Sequence, residues 1–319
     1  MSGHVRTALI STAGHCKVAC GFCFRADRAH GFLDTRTYTR TLSRLKETGV
    51  DGVCLTGGEP THHPHLRQLV RLAHQFGMSV SMVTSARTVT DVITLSHVAD
   101  LLANVTVSAD SEGAMLLGRT TRTVASGIDT LRAISTETRI LHVTCWDLSD
   151  GECRALAGLV TGAGVEVQFS PVVLDEHALR REGMSLQEYP ARQLLDAEVL
   201  EHYFDLSDRY RGHLDELRDL QLPGEGERRQ CRSATAYVSA DGLIRRCPYG
   251  RASVDVHAPR AEIGRFLTDP AQDRVTPDCA AICRPSAPLD ARSSTPAERR
   301  AACPHEHGTG PSRLPGPDR

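Results

Sequence analysis

The chain has 319 residues, 40% hydrophobic and 24% charged, and its 37 Lys and Arg against 39 Asp and Glu give a net charge of −2. This composition suits a folded core. The near-neutral charge predicts a protein without nucleic-acid partners. We see neither an uncharged stretch of the roughly 20 residues that a membrane helix needs nor a secretory signal, which predicts a cytoplasmic protein without membrane partners. Eleven cysteines in such a protein indicate metal ligands or redox chemistry rather than disulfides.

Strand-like and helix-like stretches alternate through the first half of the chain. The pattern predicts six strands, at 5–11, 53–55, 78–84, 104–109, 139–146 and 165–170. Between them, apolar residues at helical spacing predict helices at 64–76, 89–98, 124–134 and 151–161. Such alternation implies right-handed βαβ units and a parallel sheet, either open or curled into a barrel.

The pattern changes after Pro171. Residues 191–221 predict helical structure, and a Pro-Gly-Glu-Gly break at 223–226 precedes a compact cysteine-bearing segment. The chain from Ser286 onward has little to bury, which predicts a disordered tail. The predicted parts are therefore an α/β domain, a helical connector, a cysteine-bearing domain and a tail, at 1–175, 176–222, 223–285 and 286–319.

Three cysteines follow the first predicted strand within eight residues, at Cys16, Cys20 and Cys23. Three thiolates on a tight loop can hold three irons of a [4Fe–4S] cluster and leave the fourth iron open. A zinc site completed by His15 or His30 is the alternative, and the spacing alone leaves both interpretations open.

A glycine-rich turn follows the second predicted strand, with the sequence Thr56-Gly57-Gly58-Glu59-Pro60. The glycines allow a close approach of the backbone to a ligand, and the backbone and carboxylate can accept hydrogen bonds from an ammonium group. Three histidines just beyond it suggest a metal, but no acidic or sulfur partner accompanies them in the sequence, so a role at the start of a helix is favoured.

With both motifs in place, the sequence resembles the radical S-adenosylmethionine (SAM) superfamily. The cysteines match its cluster motif, with aromatic Phe22 before the third cysteine, and Gly57-Gly58-Glu59 matches its motif for the SAM amino group. The resemblance implies a partial (β/α)6 barrel over roughly residues 5–175. It also implies a [4Fe–4S] cluster that chelates SAM and reduces it to a hydrogen-abstracting radical, with an electron donor such as flavodoxin or ferredoxin.

Two further positions acquire a role from this resemblance. Ser108 and Asp110 end the fourth predicted strand, where they either bind the SAM ribose or cap the following turn. Thr84-Ser85 ends the third strand where many relatives carry Thr-Asn-Gly, so the role of that position does not carry over.

A second set of cysteines lies beyond the predicted barrel, at Cys231, Cys247, Cys279 and Cys283. The segment 236–246 predicts a hairpin, with one cysteine before it and one after it. Together with Cys279 and Cys283, these give four thiolates for a zinc ion or a second [4Fe–4S] cluster. Behind a radical SAM barrel this arrangement resembles the twitch or shortened SPASM extension, which implies an auxiliary cluster in residues 223–285.

The chain as a whole resembles the aminoglycoside-tailoring branch of the superfamily, which implies a small sugar-containing substrate. In that branch a cysteine of the C-terminal half supplies a hydrogen atom, which by position is Cys247, with Cys145 at the end of the fifth strand in reserve. Cys247 cannot be assigned both as donor and as cluster ligand, and the sequence leaves that conflict open.

Three alternatives to epimerisation remain. The auxiliary cluster can accept an electron from the substrate radical, which gives a dehydrogenation. A peptide maturase is the second alternative, although such enzymes usually carry an N-terminal recognition domain and fifteen residues precede Cys16 here. A zinc-stabilised binding module without catalytic activity is the third.

Overall fold

The computed structural model describes most of the first 206 residues and part of the C-terminal region. The described residues are 7–16, 18, 20–23, 31–174, 176–185, 188–206, 210–211, 214, 236–250 and 252–268. Cys231, Cys279 and Cys283, together with the predicted tail, lie outside the described residues. No helix among those described is both long and apolar enough to cross a lipid bilayer.

Six parallel strands form the first part of a single sheet, which confirms the predicted α/β class and parallel sheet. They are β1 (Thr7–Ala13), β2 (Gly52–Gly57), β3 (Ser79–Thr84), β4 (Asn104–Asp110), β5 (Thr138–Cys145) and β6 (Glu166–Pro171). Each strand pairs with the next one in the chain. All six therefore end at the same edge of the sheet, which we call the mouth.

Helices connect successive strands, as the alternation predicts. They are α1 (Thr35–Glu47), α2 (Leu66–Gln75), α3 (Val89–Ser96), α4 (Glu112–Gly118), α5 (Val124–Arg132), α6 (Asp150–Thr161), α7 (Glu176–Arg181), α8 (Glu188–Tyr203) and α9 (Arg260–Thr268), with short 3₁₀ turns at Pro60–His62 and Ala99–Leu101. The predictions for α2, α3, α5 and α6 are confirmed to within a few residues.

Helix α1 has no counterpart among the predicted elements. It buries Tyr38, Thr41, Leu42 and Leu45, which share one face at helical spacing. A threonine occupies one of these four core positions and polar residues separate the others, so the apolar signal in the sequence is weak. The helix begins at Asp34, whose carboxylate accepts hydrogen bonds from the first free backbone N–H groups.

The two faces of the sheet differ in chemistry. Residues that alternate along each strand, such as Leu141 and Val143 on β5, belong to the large core under the helices. The opposite face, here called the inner face, carries a small separate apolar cluster of Leu9, Cys54 and Tyr237. Most of its other positions on β3 to β6 are polar, so the described helices pack on the apolar face and the inner face is the polar one.

A C-terminal hairpin extends this sheet beyond β1. Strand β7 (Ala236–Val238) runs parallel to β1, and β8 (Leu243–Arg245) and β9 (Val254–Asp255) follow it as antiparallel neighbours. The predicted hairpin is thereby confirmed. Because β7 hydrogen-bonds to β1, the described part of the C-terminal region continues the barrel sheet.

Candidate active site at the mouth of the sheet

The three-cysteine loop leaves β1 at the mouth and is held against the end of α4. Gly21 N–H donates to the carbonyl of Gly118 at 2.8 Å, and Cys23 N–H donates to the carbonyl of Cys20 at 3.1 Å. A Cβ atom at Gly118 would collide with the ring of Phe22. The structure thus places Phe22 against the last turn of α4, where its ring anchors the loop.

The thiols of this loop interact electrostatically. Cys20 is 8% exposed, while Cys16 and Cys23 are half-buried. Burial raises the pKa of the Cys20 thiol to about 11; the charge of Arg122 counteracts this, and the neighbouring thiols add to it. Three thiolates so placed need a cationic partner, and soft sulfur donors suit iron. The residues present therefore fit an iron–sulfur cluster.

The glycine-rich turn after β2 lies directly beside this loop. Gly57 has φ +122°, and a Cβ atom there would come within 2.6 Å of Ser11 Oγ and 2.9 Å of the Ala13 carbonyl oxygen. Gly58 N–H donates to that same carbonyl at 2.7 Å, and Glu59 N–H donates to the carbonyl of His15 at 3.2 Å. The absence of a side chain at Gly57 lets β1 and β2 close together at the mouth.

The carboxylate of Glu59 is bound by the protein. It is 1% exposed and accepts from Thr61 N–H at 3.2 Å, Thr61 Oγ1 at 2.8 Å, Ser85 N–H at 2.9 Å, Ser85 Oγ at 2.6 Å and the hydroxyl of Thr84. An ionised carboxylate has about four lone-pair positions, and five donors occupy them. These contacts join the glycine-rich turn to the end of β3. The predicted role of Glu59 toward an ammonium group stays a prediction.

Sequence reasoning did not anticipate the function of Thr84 and Ser85. Their departure from the usual motif removed the only signal that the sequence offered. In the structure both hydroxyls hold Glu59, and Thr84 Oγ1 also accepts from the Ala86 N–H at 3.0 Å. Thr84 and Ser85 can be recognised by their position in the structure, at the carboxyl end of β3 and next to the glycine-rich turn.

Replacing Glu59 by glutamine is expected to lower the free energy of unfolding by about 2 kcal/mol, because the amide nitrogen faces hydrogen-bond donors and leaves some of them unsatisfied. Chemical denaturation measures this change. Glu198→Gln, an exposed position on α8, is the matched control and is expected to change stability by less than about 0.5 kcal/mol. Equal stability of the two variants would contradict the engagement of the Glu59 carboxylate.

Asp110, at the end of β4, forms a buried ion pair with Arg122. Arg122 Nε donates to Asp110 Oδ2 at 2.8 Å, a second guanidinium nitrogen donates to Oδ1, and the Thr120 hydroxyl also donates to this carboxylate. The Asp110 side chain is fully buried, and Arg122 is 12% exposed. Ser108 is half-buried on the inner face. The predicted contacts of Ser108 and Asp110 with a ribose stay predictions.

The remaining cysteines of the barrel are enclosed. Cys145 ends β5 as predicted but is 0% exposed, and its thiol donates to the carbonyl of Val143 at 3.5 Å. Burial raises the pKa of this thiol well above its usual range. Cys54 and Cys153 are likewise buried, each within one of the apolar clusters.

The histidines that follow the glycine-rich turn bind protein groups. His62 Nε2 lies 3.1 Å from Asp91 Oδ1, at an ion-pair distance but without hydrogen-bond geometry, so this histidine does have an acidic neighbour. His63 Nε2 lies 2.9 Å from the carbonyl oxygen of Leu33, and burial lowers the pKa of His63. Among the described residues, no three histidine, cysteine or acidic side chains form a site for a single ion.

Cys247 lies toward the end of the sheet opposite the mouth. β8 runs antiparallel to β7, Arg245 pairs with Tyr237, and Tyr237 pairs with Leu9. Cys247 follows the end of β8 by two residues, in a turn where Gly250 N–H donates to the Cys247 carbonyl at 3.0 Å. It is half-buried and packs against the large core under the helices.

An open polar cavity of about 570 Å³ lies at the amino ends of β5 and β6, lined by residues 134–139 and 164–166. Ligand sites of parallel α/β sheets lie at the carboxyl ends of the strands, so this cavity is separate from the cysteine loop and the glycine-rich turn. The candidate site is therefore built from the loops at the mouth and from the inner face below them.

Comparison with known proteins agrees with this location of the site. The sequence profile of the Radical SAM superfamily matches residues 10–111, which include the cysteine loop, the glycine-rich turn and β4. The chain is 34% identical over 86 residues to an S-adenosylmethionine-dependent nucleotide dehydratase of a Thermoplasmatales archaeon, a match covering 27% of this chain and 31% of that protein. It is 35% identical over 82 residues to a PqqA peptide cyclase of Ruegeria pomeroyi, covering 24% and 22%.

A solved structure shows the same fold at low sequence identity. Streptococcus suis SuiB bound to the precursor peptide SuiA superimposes with a TM-score of 0.56 and 16% identity, over 84% of this chain and 66% of that chain. The chain spans less than a third of the length of the two curated relatives. The matched segments cover the region of the two motifs.

Proposed function

We infer, from the radical SAM domain that this chain carries over residues 10–111, that the protein is a radical SAM enzyme, and we propose that it epimerises a carbon of a sugar-containing, aminoglycoside-like substrate. The observation that carries the proposal is the cysteine loop at the mouth, held beside the glycine-rich turn. A further thiol, Cys247, is half-buried in the described part of the C-terminal region. Such a thiol supports a reaction in which a hydrogen atom is returned to the substrate.

Cys16, Cys20 and Cys23 would hold the [4Fe–4S] cluster that binds SAM. When bound, this cluster supplies the electron for reductive cleavage of SAM to methionine and a hydrogen-abstracting 5′-deoxyadenosyl radical. Gly57 and Gly58 bring the backbone of the glycine-rich turn against the loop, and Glu59 holds that turn to β3. The chain thereby keeps the loop and the turn in a fixed relation at the mouth.

Cys247 is the proposed hydrogen donor. Its S–H bond breaks as a new C–H bond forms on the substrate radical, from the face opposite the abstraction, which inverts the carbon. The resulting thiyl radical takes up one electron and one proton to return to the thiol, and an external reductant such as flavodoxin or ferredoxin is the electron source. Cys231, Cys279 and Cys283 are proposed ligands of an auxiliary cluster. Cys247 is favoured over Cys145 because it is half-buried, whereas Cys145 is fully enclosed.

A peptide-modifying reaction is the second candidate. It is favoured by the similarity to a protein named as a PqqA peptide cyclase, over 82 residues. That similarity covers 24% of this chain. A peptide substrate would require a precursor peptide as the co-substrate, and incubation with such a peptide distinguishes the two candidates by mass change of the peptide or of the sugar.

Replacing Cys247 by alanine is expected to leave SAM cleavage and iron content unchanged and to lower formation of the epimer by at least about 100-fold, because the substrate radical loses its hydrogen donor. Turnover of the wild-type enzyme in D2O is expected to place one deuterium in the product. A fall in iron content would instead identify Cys247 as a cluster ligand, and an unlabelled, oxidised product would indicate dehydrogenation.

A further inference from the structure

The inner face carries a row of polar side chains on three neighbouring strands. Ser108 on β4 pairs with His142 on β5, and His142 pairs with Gln168 on β6. Leu141 and Val143, the residues before and after His142 on β5, point into the core under the helices. Because successive side chains of a strand point to opposite faces, His142 points to the inner face. The three side chains of the row therefore share the inner face, opposite the core that the described helices cover.

This row is open enough to meet a ligand. All three side chains are half-buried, although β4 and β5 are internal strands with a neighbour on each side. The next inner-facing row, toward the mouth, contains Asp110 and Thr144, so the His142 row lies about 7 Å below the end of β4. A molecule that enters beneath the mouth meets this row.

The side chains of the inner face indicate which class of substrate it binds. A hydroxyl, an imidazole and a carboxamide each donate and accept hydrogen bonds. The inner-facing positions of β1 to β6, all of them described, include no lysine or arginine. Arg122 at the mouth is bound to Asp110, and Arg245 lies on β8, on the other side of β1. Phosphate groups are recognised by such cations, so the face suits a substrate without phosphate.

We propose that His142, with Ser108 and Gln168 beside it, binds the hydroxyl and amino groups of a polyhydroxylated, non-phosphorylated substrate and determines specificity for it. The inference rests on the proposed function and deepens it, since it assigns the substrate class to a defined set of side chains.

The test uses the cluster-loaded enzyme with SAM and two probes, the aminoglycoside neamine and the phosphate-bearing nucleotide GTP. Calorimetry is expected to show binding of neamine and no binding of GTP. His142→Ala is expected to weaken neamine binding by about tenfold or more, the effect of losing one or two hydrogen bonds in a partly enclosed site, with SAM affinity unchanged. His142→Gln, which keeps a donor and an acceptor, is expected to recover part of the affinity.

His202→Ala, an exposed histidine on α8, is the matched control and is expected to bind neamine like the wild type. Neamine affinity unchanged in His142→Ala would overturn the assignment, and so would binding of GTP that depends on His142. Wild-type enzyme that cleaves SAM but binds neither probe would overturn the substrate class while leaving the radical SAM function intact. Absence of SAM cleavage by loaded wild-type enzyme would instead contradict the proposed function itself.

Discussion

Replacement of Cys20 by alanine is expected to remove the SAM-binding cluster and to lower formation of 5′-deoxyadenosine by at least about 1,000-fold. Cys20 is the most buried thiol of the loop. Two remaining thiolates leave a cluster of four irons under-ligated, so we expect a loss of about four irons per chain. Iron and labile-sulfide assays after anaerobic reconstitution, together with chromatography of the SAM cleavage products, measure both effects.

Cys153→Ala is the matched control for this experiment. Cys153 is a buried cysteine on α6, packed in the core under the helices. Its replacement is expected to lower the free energy of unfolding by about 1 kcal/mol through lost packing while iron content and SAM cleavage persist. Full iron content and SAM cleavage in Cys20→Ala would contradict the assignment of the loop as the cluster site.

Replacement of Arg122 by leucine is expected to lower the free energy of unfolding by about 3–5 kcal/mol, because it leaves the carboxylate of Asp110 charged and without its partner in the interior. The Asp110 side chain is fully buried, and the guanidinium binds it through two nitrogens. The same segment is linked to the site, since Asp110 N–H donates to the Arg122 carbonyl at 2.8 Å and Gly118 anchors the cysteine loop. We therefore also expect this variant to retain less iron.

An exposed ion pair provides the control for the Arg122 variant. Arg154 and Asp150 lie on the surface of α6, with side chains 73% and 58% exposed. Arg154→Leu is expected to change the free energy of unfolding by less than about 1 kcal/mol, because solvent screens surface pairs. The double variant Asp110→Asn/Arg122→Leu is expected to recover part of the lost stability. A cost for Arg122→Leu no larger than that for Arg154→Leu would show that the Asp110 pair is not enclosed in solution.

Much of the fold can be predicted from local sequence patterns. The apolar runs of β2 to β6 and the helical spacing of α2 and α5 each lie within about a dozen consecutive residues, and the structure confirms these elements. Helix α1 escaped prediction because a threonine occupies one of its core positions. The cysteine loop and the glycine-rich turn are likewise contiguous, which is why the resemblance to the radical SAM superfamily could be seen in the sequence alone.

The roles of individual side chains at the site depended on contacts between distant segments. Glu59 accepts hydrogen bonds from Thr84 and Ser85, which follow it by 25 and 26 residues, and these contacts join the glycine-rich turn to the end of β3. Asp110 likewise binds Arg122, which follows it by 12 residues. A local sequence pattern does not identify such hydrogen-bond partners, because the fold brings them together from separate segments of the chain.

The sequence by itself determined the class of fold and the position of the two motifs, since periodicity and spacing are properties of neighbouring residues. Only the tertiary structure decided which residues stand opposite one another. The row of Ser108, His142 and Gln168 follows from strand register. Register is set by the packing of whole strands against the core and against each other, so a one-residue shift would exchange the two faces without altering any local pattern.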